Sequence, residues 1–216
     1  MNITGKLATA VFATTLLAAS VPATAGNFGG GMNRQSSQET SDLDATETAN
    51  LVYMREEEKL ARDVYITLYQ TWSLLVFDNI AASEETHTTQ VEDLLEKYRV
   101  TDPVVDNTVG VFVDPHLASL YTTLVDQGSA SSQAALYVGA AIEEIDMIDL
   151  QEAIDATDNA DIKQLYENLM AGSRNHLRAY VGQIENLGIV YEAQYLTQEE
   201  VDAIVDAPVE RGSRRR

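Results

Sequence analysis

The stretch 77–98, FDNIAASEETHTTQVEDLLEKY, constrains the rest of the chain. Ile80, Val91, Leu94 and Leu95 recur there at helical spacing. Glu84 and His87 stand among them, three residues apart. On an α-helix such a pair shares one face, so both side chains reach one point beside an apolar stripe. Burying a carboxylate and an imidazole without compensation is costly. Other elements must supply partners, or the pair must hold a metal ion.

Three further stretches have the length and period to answer that need. The first runs from about 46 to 72, where Tyr53, Met54, Leu60, Ala61, Val64, Tyr65 and Leu68 form one stripe. At ~100° per residue, Glu57 falls near the middle of that stripe and Glu58 at its edge. Periodicity therefore prefers Glu57. The link 73–76 is short, so the first two helices are expected to be antiparallel neighbours. The second helix ends before Asp102-Pro103.

Residues 100–114 are β-branched and turn-rich, a connection with a short strand-like piece. Pro115 suits the first position of a short helix reaching about 125, with Gly128 ending it. The third long helix spans about 132–156. Leu136, Ala140, Glu143, Met147, Leu150 and Ile154 follow one seam, which places Glu143 inside it, Asp146 one turn on and Glu144 farther round. The fourth runs from about 160 to 187 and stops at Gly188. Leu165, Leu169, His176 and Tyr180 mark its inner side, and Gly172 permits close approach. Thr197 with Glu200 is a capping box for a short terminal helix to about 205. The expected fold is all-α, four long helices with a long crossover between the second and third, plus a short C-terminal helix.

Each long helix thus offers an inward polar group: Glu58 or Glu57, then Glu84 with His87, then Glu143 with Asp146, then His176. Glu-x-x-His is the unit that di-metal helix bundles project into their cores. Carboxylate and imidazole together suit iron, manganese or zinc. The competing structural reading is a buried ion pair, Glu143 with Arg178 or Arg62, beside a hydrogen-bonded core histidine.

The ends carry separate signals. Lys6, an apolar run over 7–21 and Pro22-Ala23-Thr24-Ala25 together form a secretory signal peptide, residues 1–25. Export to the periplasm or outside the cell is expected. Residues 26–45 read as a flexible linker, with helix caps expected near Ser41-Asp42. The ordered domain is expected over 46–206, followed by a basic disordered tail over 207–216. The chain carries 34 acidic and 14 basic residues. Such acidity repels nucleic acid and anionic membrane and raises local cation concentration. No later segment is apolar enough to span a membrane. Without cysteine there is no disulfide, iron–sulfur centre or thiol nucleophile.

The residues also resemble a known family. Glu58-x-x-Ala61-Arg62-x-x-Tyr65 is similar to the first core helix of rubrerythrin-type ferritin-like proteins. Phe77, seven residues before Glu84-x-x-His87, is similar to their second, Glu143-x-x-Asp146 to their third, and His176-x-Arg178-x-Tyr180 to their fourth. The wording EEEKLARDVY, NIAASEETH and SRNHLRAY resembles an exported, functionally unassigned branch of that superfamily. The resemblance spans about 51–204. It implies a ferritin-like four-helix bundle with a di-iron site, and it selects Glu58 over Glu57. The implied ligands are Glu58, Glu84, His87, Glu143, Asp146 and His176, with Glu57 and Glu144 as second choices. Arg62, Tyr65 and Arg178 would surround them.

It further implies two irons per chain, with manganese or zinc as alternatives, and an oxidase or peroxidase handling oxygen, peroxide or iron. Partners under this reading are metal ions and an external electron donor, with homodimerisation left open. Ser173 departs from the pattern, because those relatives carry Glu-x-x-His in the fourth helix. The site is then expected to be asymmetric, mononuclear, zinc-loaded or lost, unless Asp146 completes it. The alternative to an enzyme is a non-catalytic metal-binding or structural helical domain with a protein partner.

Overall fold

Four of the six helices among the described residues start at short side chains that satisfy orphan N–H groups of the first turn. Asp44 accepts from the N–H groups of Thr46 and Glu47, and Glu47 reaches back to the Asp44 N–H, a reciprocal box that opens α1 (Ala45–Trp72). Asp114 and Ser131 accept from first-turn N–H groups to cap α3 (Pro115–Gly128) and α4 (Ser132–Asp155), and Thr197 with Glu200 forms a second reciprocal box at α6 (Gln198–Asp206). Two residues, Ser73 and Leu74, separate α1 from α2 (Leu75–Tyr98), with Ser73 left-handed at φ 53°. α5 (Ala160–Asn186) ends where Gly188 turns at φ 78°.

These elements come from a computed structural model that describes residues 42–210. The predicted signal peptide, the linker up to residue 41 and the basic stretch 211–216 lie outside the described residues. No strand forms among the described residues, so the strand-like piece expected within 100–114 is irregular chain instead. No described helix is long and apolar enough to cross a membrane.

The architecture is a helical bundle. α1 packs chiefly on α2, and α4 on α5, while α2–α5 and α1–α4 contacts close the bundle. α3, carried on the connection from α2 to α4, lies against α1 and α4. Glu47 ties the two pairs at one end, accepting from Thr157 Oγ1 at 2.6 Å and Asn159 Nδ2 at 2.8 Å. Tyr65, Phe77 and Tyr180 form an aromatic cluster in the core, with centroids 5.4–6.1 Å apart.

α1 departs from the one-sided pattern of a surface helix. Twelve successive residues, from Met54 to Tyr65, are buried. The crossover covers the side of α1 turned away from the other helices, and it does so through charges. Glu56 accepts from Val113 N at 2.6 Å and Asp114 N at 2.9 Å. Lys59 bonds Asp63 at 2.5 Å and Thr108 O at 3.0 Å, and stands over the Phe112 ring. Asp63 accepts from Gly110 N at 2.9 Å, and Arg55 bonds Asp102. Every one of these charges has a partner, as burial requires.

Beyond α6 the chain stays attached as far as Glu210. Its carboxylate meets Arg174 at 2.6–2.7 Å and Arg178 at 3.2 Å. Residues 207–210, placed with the tail by sequence, are thereby docked on α5.

Candidate metal centre

The four long helices each send ionisable side chains to one depth of the bundle. Glu58 comes from α1, Glu84 and His87 from α2, Glu143 and Asp146 from α4, and His176 from α5; all six are buried. Glu84 sits between the two histidines. Its Oε2 lies 2.7 Å from His87 Nδ1, and its Oε1 lies 2.7 Å from His176 Nδ1. Glu58 Oε2 is 3.4 Å from His87 Nδ1, and Glu143 Oε2 is 3.4 Å from His176 Nδ1. Two triads result, Glu58–Glu84–His87 and Glu84–Glu143–His176, each with ligand atoms within 4.8 Å of one another. Glu84 belongs to both. The imidazole planes are 27° apart and their centroids 5.5 Å apart.

These contacts are close but off-line. Neither Nδ1 has hydrogen-bond geometry to any partner, and Glu58 Oε1 and Asp146 Oδ1 are also buried without one. Four orphaned polar atoms in one buried place call for an explanation. Charge adds a second argument. Four carboxylates face two imidazoles, so two negative charges remain even with both rings protonated. A pair of divalent cations fits both facts, and the donor set is one that iron, manganese or zinc accepts.

In the metal-free chain the imidazoles serve as the cations. Burial disfavours their charged form, but Glu84 and Glu58 outweigh it and push His87 up to about 12. Glu84 and Glu143 push His176 up to about 10. Burial would raise Glu84, yet the two imidazoles hold it below the ordinary carboxylate range. Glu58 goes the other way, raised by burial and by Glu84 to about 7 despite His87. Burial, Glu58 and Glu143 push Asp146 well above the usual range.

The supporting contacts differ from the expected set. Tyr65 donates to Glu143 Oε1 at 2.6 Å, as a neighbour of the ligands should. Arg62 does not reach them, because Asp63, Glu85 and Asn107 engage its guanidinium. Arg178 is likewise taken by Glu210, Asn175 and the Ile204 carbonyl. The second-choice acids are also placed elsewhere. Glu144 holds the 191–196 connection, accepting from Tyr191 Oη and from the N–H groups of Gln194, Tyr195 and Leu196. Glu57 turns toward Asp149 rather than the histidines.

Two serines complete the surroundings: Ser173, read from the sequence as the departure from the family pattern, and Ser83, which the sequence reading missed. Ser173 donates to Asp146 Oδ2, leaving Oδ1 free. Ser83 Oγ lies 3.0 Å from His176 Nε2. If that nitrogen carries the proton, Nδ1 keeps its lone pair for a metal. Ser83 precedes Glu84 in the chain but stands 93 residues from His176, a separation no spacing rule links.

A family profile described as an uncharacterized protein domain, DUF2202, matches residues 47–208. The chain belongs to the DUF2202 family. The uncharacterized protein MJ0754 of Methanocaldococcus jannaschii is 52% identical over 169 residues, which cover 78% of this chain and 91% of that protein. The crystal structure of MJ0754 superposes with a TM-score of 0.76 at 48% identity, covering 84% of this chain and 100% of that one. The DUF2202 match takes in all six helices almost entirely, and every residue of both triads lies inside it.

Proposed function

We propose that this DUF2202 chain is an exported, ferritin-like metal-carboxylate protein whose two triads hold a pair of metal ions, iron first, with manganese or zinc as alternatives. The observation that supports this most is the position of Glu84, one carboxylate oxygen turned to each imidazole. A carboxylate so placed can serve two ions at once. Glu58 and His87 would hold one ion, Glu143 and His176 the other, with Glu84 shared. Asp146, steadied by Ser173, would add a terminal carboxylate.

Bound iron or manganese would supply two electrons to oxygen or peroxide and recover them from an external donor. The chain's own residues prepare that chemistry. Tyr65 orients Glu143, and Ser83 orients His176. The packed helices keep the ligands rigid and the pocket dry. Ser173, where the resembling proteins carry a carboxylate, favours a second reading, ion binding without turnover.

Elemental analysis of the protein beside a Glu84→Ala/His87→Ala variant tests the centre. The expected result is about two ions per chain, as two-metal sites hold, and at most a residue of that in the variant. Oxygen-dependent optical change of the iron form supports turnover, and stable zinc without redox response supports binding alone. A protein that takes up none of these metals, with melting unchanged by His87→Ala and His176→Ala, refutes the centre.

A further inference from the structure

The two triads are unevenly shielded. The side chains of Glu58, Glu84 and Glu143 are 2–3% exposed, whereas those of His87 and His176 are 11% and 10% exposed. The wetter edge of both triads is therefore the imidazole edge, and it lies where α2 meets α5. His87 of α2 stands against Gly172 of α5, and His176 of α5 against Ser83 of α2. The other side of the bundle is covered: the crossover roofs α1, and α3 lies against α1 and α4. Among the described residues no element packs across α2 and α5 together in that way.

Two lines of residues frame this seam. Ser83, His87 and Gln90 share one face of α2, and Gly172, His176 and Ala179 share one face of α5 at the same i, i+4, i+7 spacing. Phe77 meets Tyr180 while His87 meets Gly172, so the lines run in opposite directions. Ser83, Gln90 and Gly172 are partly exposed and Ala179 is exposed. All four are uncharged, in a chain with 34 acidic residues. The seam is also narrow, since a methyl group on Gly172 would come within 2.5 Å of the His87 ring. A charged species entering a narrow neutral slot sheds water with nothing to replace it. A small uncharged molecule bears no such cost, and a bulky one is stopped where Gly172 meets His87.

We infer that the α2–α5 seam is the opening of the centre, and that it admits a small uncharged oxidant no larger than hydrogen peroxide and excludes organic hydroperoxides. The inference rests on the two-ion reading above and names the substrate class of that site.

The chain has no cysteine, so single thiols can be placed at will. Gln90→Cys and Ala179→Cys stand at the mouth, and Thr122→Cys, exposed on α3, stands away from it. Each full-length variant is folded, loaded with Fe²⁺ alone under nitrogen, and only then labelled with a bulky maleimide. Nitric oxide, small and uncharged, is the probe, and electron paramagnetic resonance with stopped-flow absorbance follows its binding. Labels at positions 90 and 179 are expected to slow nitrosyl formation at least about tenfold, as closing an access route does, with iron content and final spectrum unchanged. The label at position 122 is expected to leave the rate at that of the parent. In the unlabelled parent, hydrogen peroxide should oxidise the iron at least about tenfold faster than tert-butyl hydroperoxide, a discrimination that pocket size readily gives. Parental nitrosyl rates with both mouth labels in place overturn the opening, and so does equal slowing by the label at position 122. Equal rates for the two peroxides overturn the size limit. A parent chain that holds no iron refutes the two-ion reading and this inference with it, whereas unhindered nitrosyl formation at full iron content refutes the opening alone.

Discussion

Gly172 of α5 lies so close to His87 of α2 that a methyl group on Gly172 would come within 2.5 Å of the imidazole Cε1 and 2.7 Å of Nε2. The ring has little room to retreat, since Glu84 and Glu58 flank its other nitrogen. Gly172→Ala gains about 1 kcal/mol of helix propensity but overpacks the site at a cost of about 1–3 kcal/mol. The expected outcome is a net loss in urea unfolding together with weaker metal uptake at the His87 position. A variant more stable than the parent, with full metal content, would contradict this packing.

Tyr65→Phe removes the phenol that donates to Glu143. A hydrogen bond to a charged acceptor contributes about 1.5–3 kcal/mol, and loss of a ligand's supporting partner lowers metal affinity by about 10–100-fold. Competition with a chromogenic chelator measures the second effect. Equal affinity in the two proteins would mean that Glu143 is not a ligand.

Metal-free protein should lose stability as pH rises. His87 and His176 are raised to about 12 and about 10 in the folded chain, against about 6.5 when unfolded. Groups shifted upward contribute stability that is complete below the unfolded value and disappears as pH climbs through the folded one. Glu58, raised to about 7, acts in the same direction at lower pH. Glu84, held low, opposes them only in acid, where its contribution is lost as pH falls. Chelator-treated protein is therefore expected to melt progressively lower from pH 6.5 to 9 in scanning calorimetry. His87→Ala/His176→Ala should flatten that slope, and a rising one would refute the assignment.

Glu144→Ala separates structural acids from ligands. Glu144 is fully buried and satisfies a phenol and three backbone N–H groups. Stranding several donors at about 1–3 kcal/mol each should destabilise the fold severely. Folded protein recovered at low temperature should keep its metal content. Loss of metal at intact stability would place Glu144 in the centre after all.

The sequence was most legible where local chemistry decides. Pro115 and the Thr197–Glu200 box mark helix starts that depend on neighbours a few residues away. The inward positions of Glu84, His87, Glu143 and His176 followed from period alone. Period failed on α1, because a helix buried on every side has no outer face to contrast, and Glu57 and Glu58 both lie inside. It also could not say which partner a long side chain meets. The resemblance places Arg62 and Arg178 beside the centre, yet Glu85 and Glu210 draw their guanidinium groups away. Asp44, two residues past Asp42, caps α1, and Glu47 answers it; Ser41 lies outside the described residues.

The charged far side of α1, roofed by the crossover, bears on how this chain assembles. Arg55, Glu56, Lys59, Arg62 and Asp63 each take a partner from residues 102–114, so their burial is complete only with the crossover in place. The crossover is thus a keystone for the helix that carries Glu58: without it, five charged side chains on that helix lose a partner each.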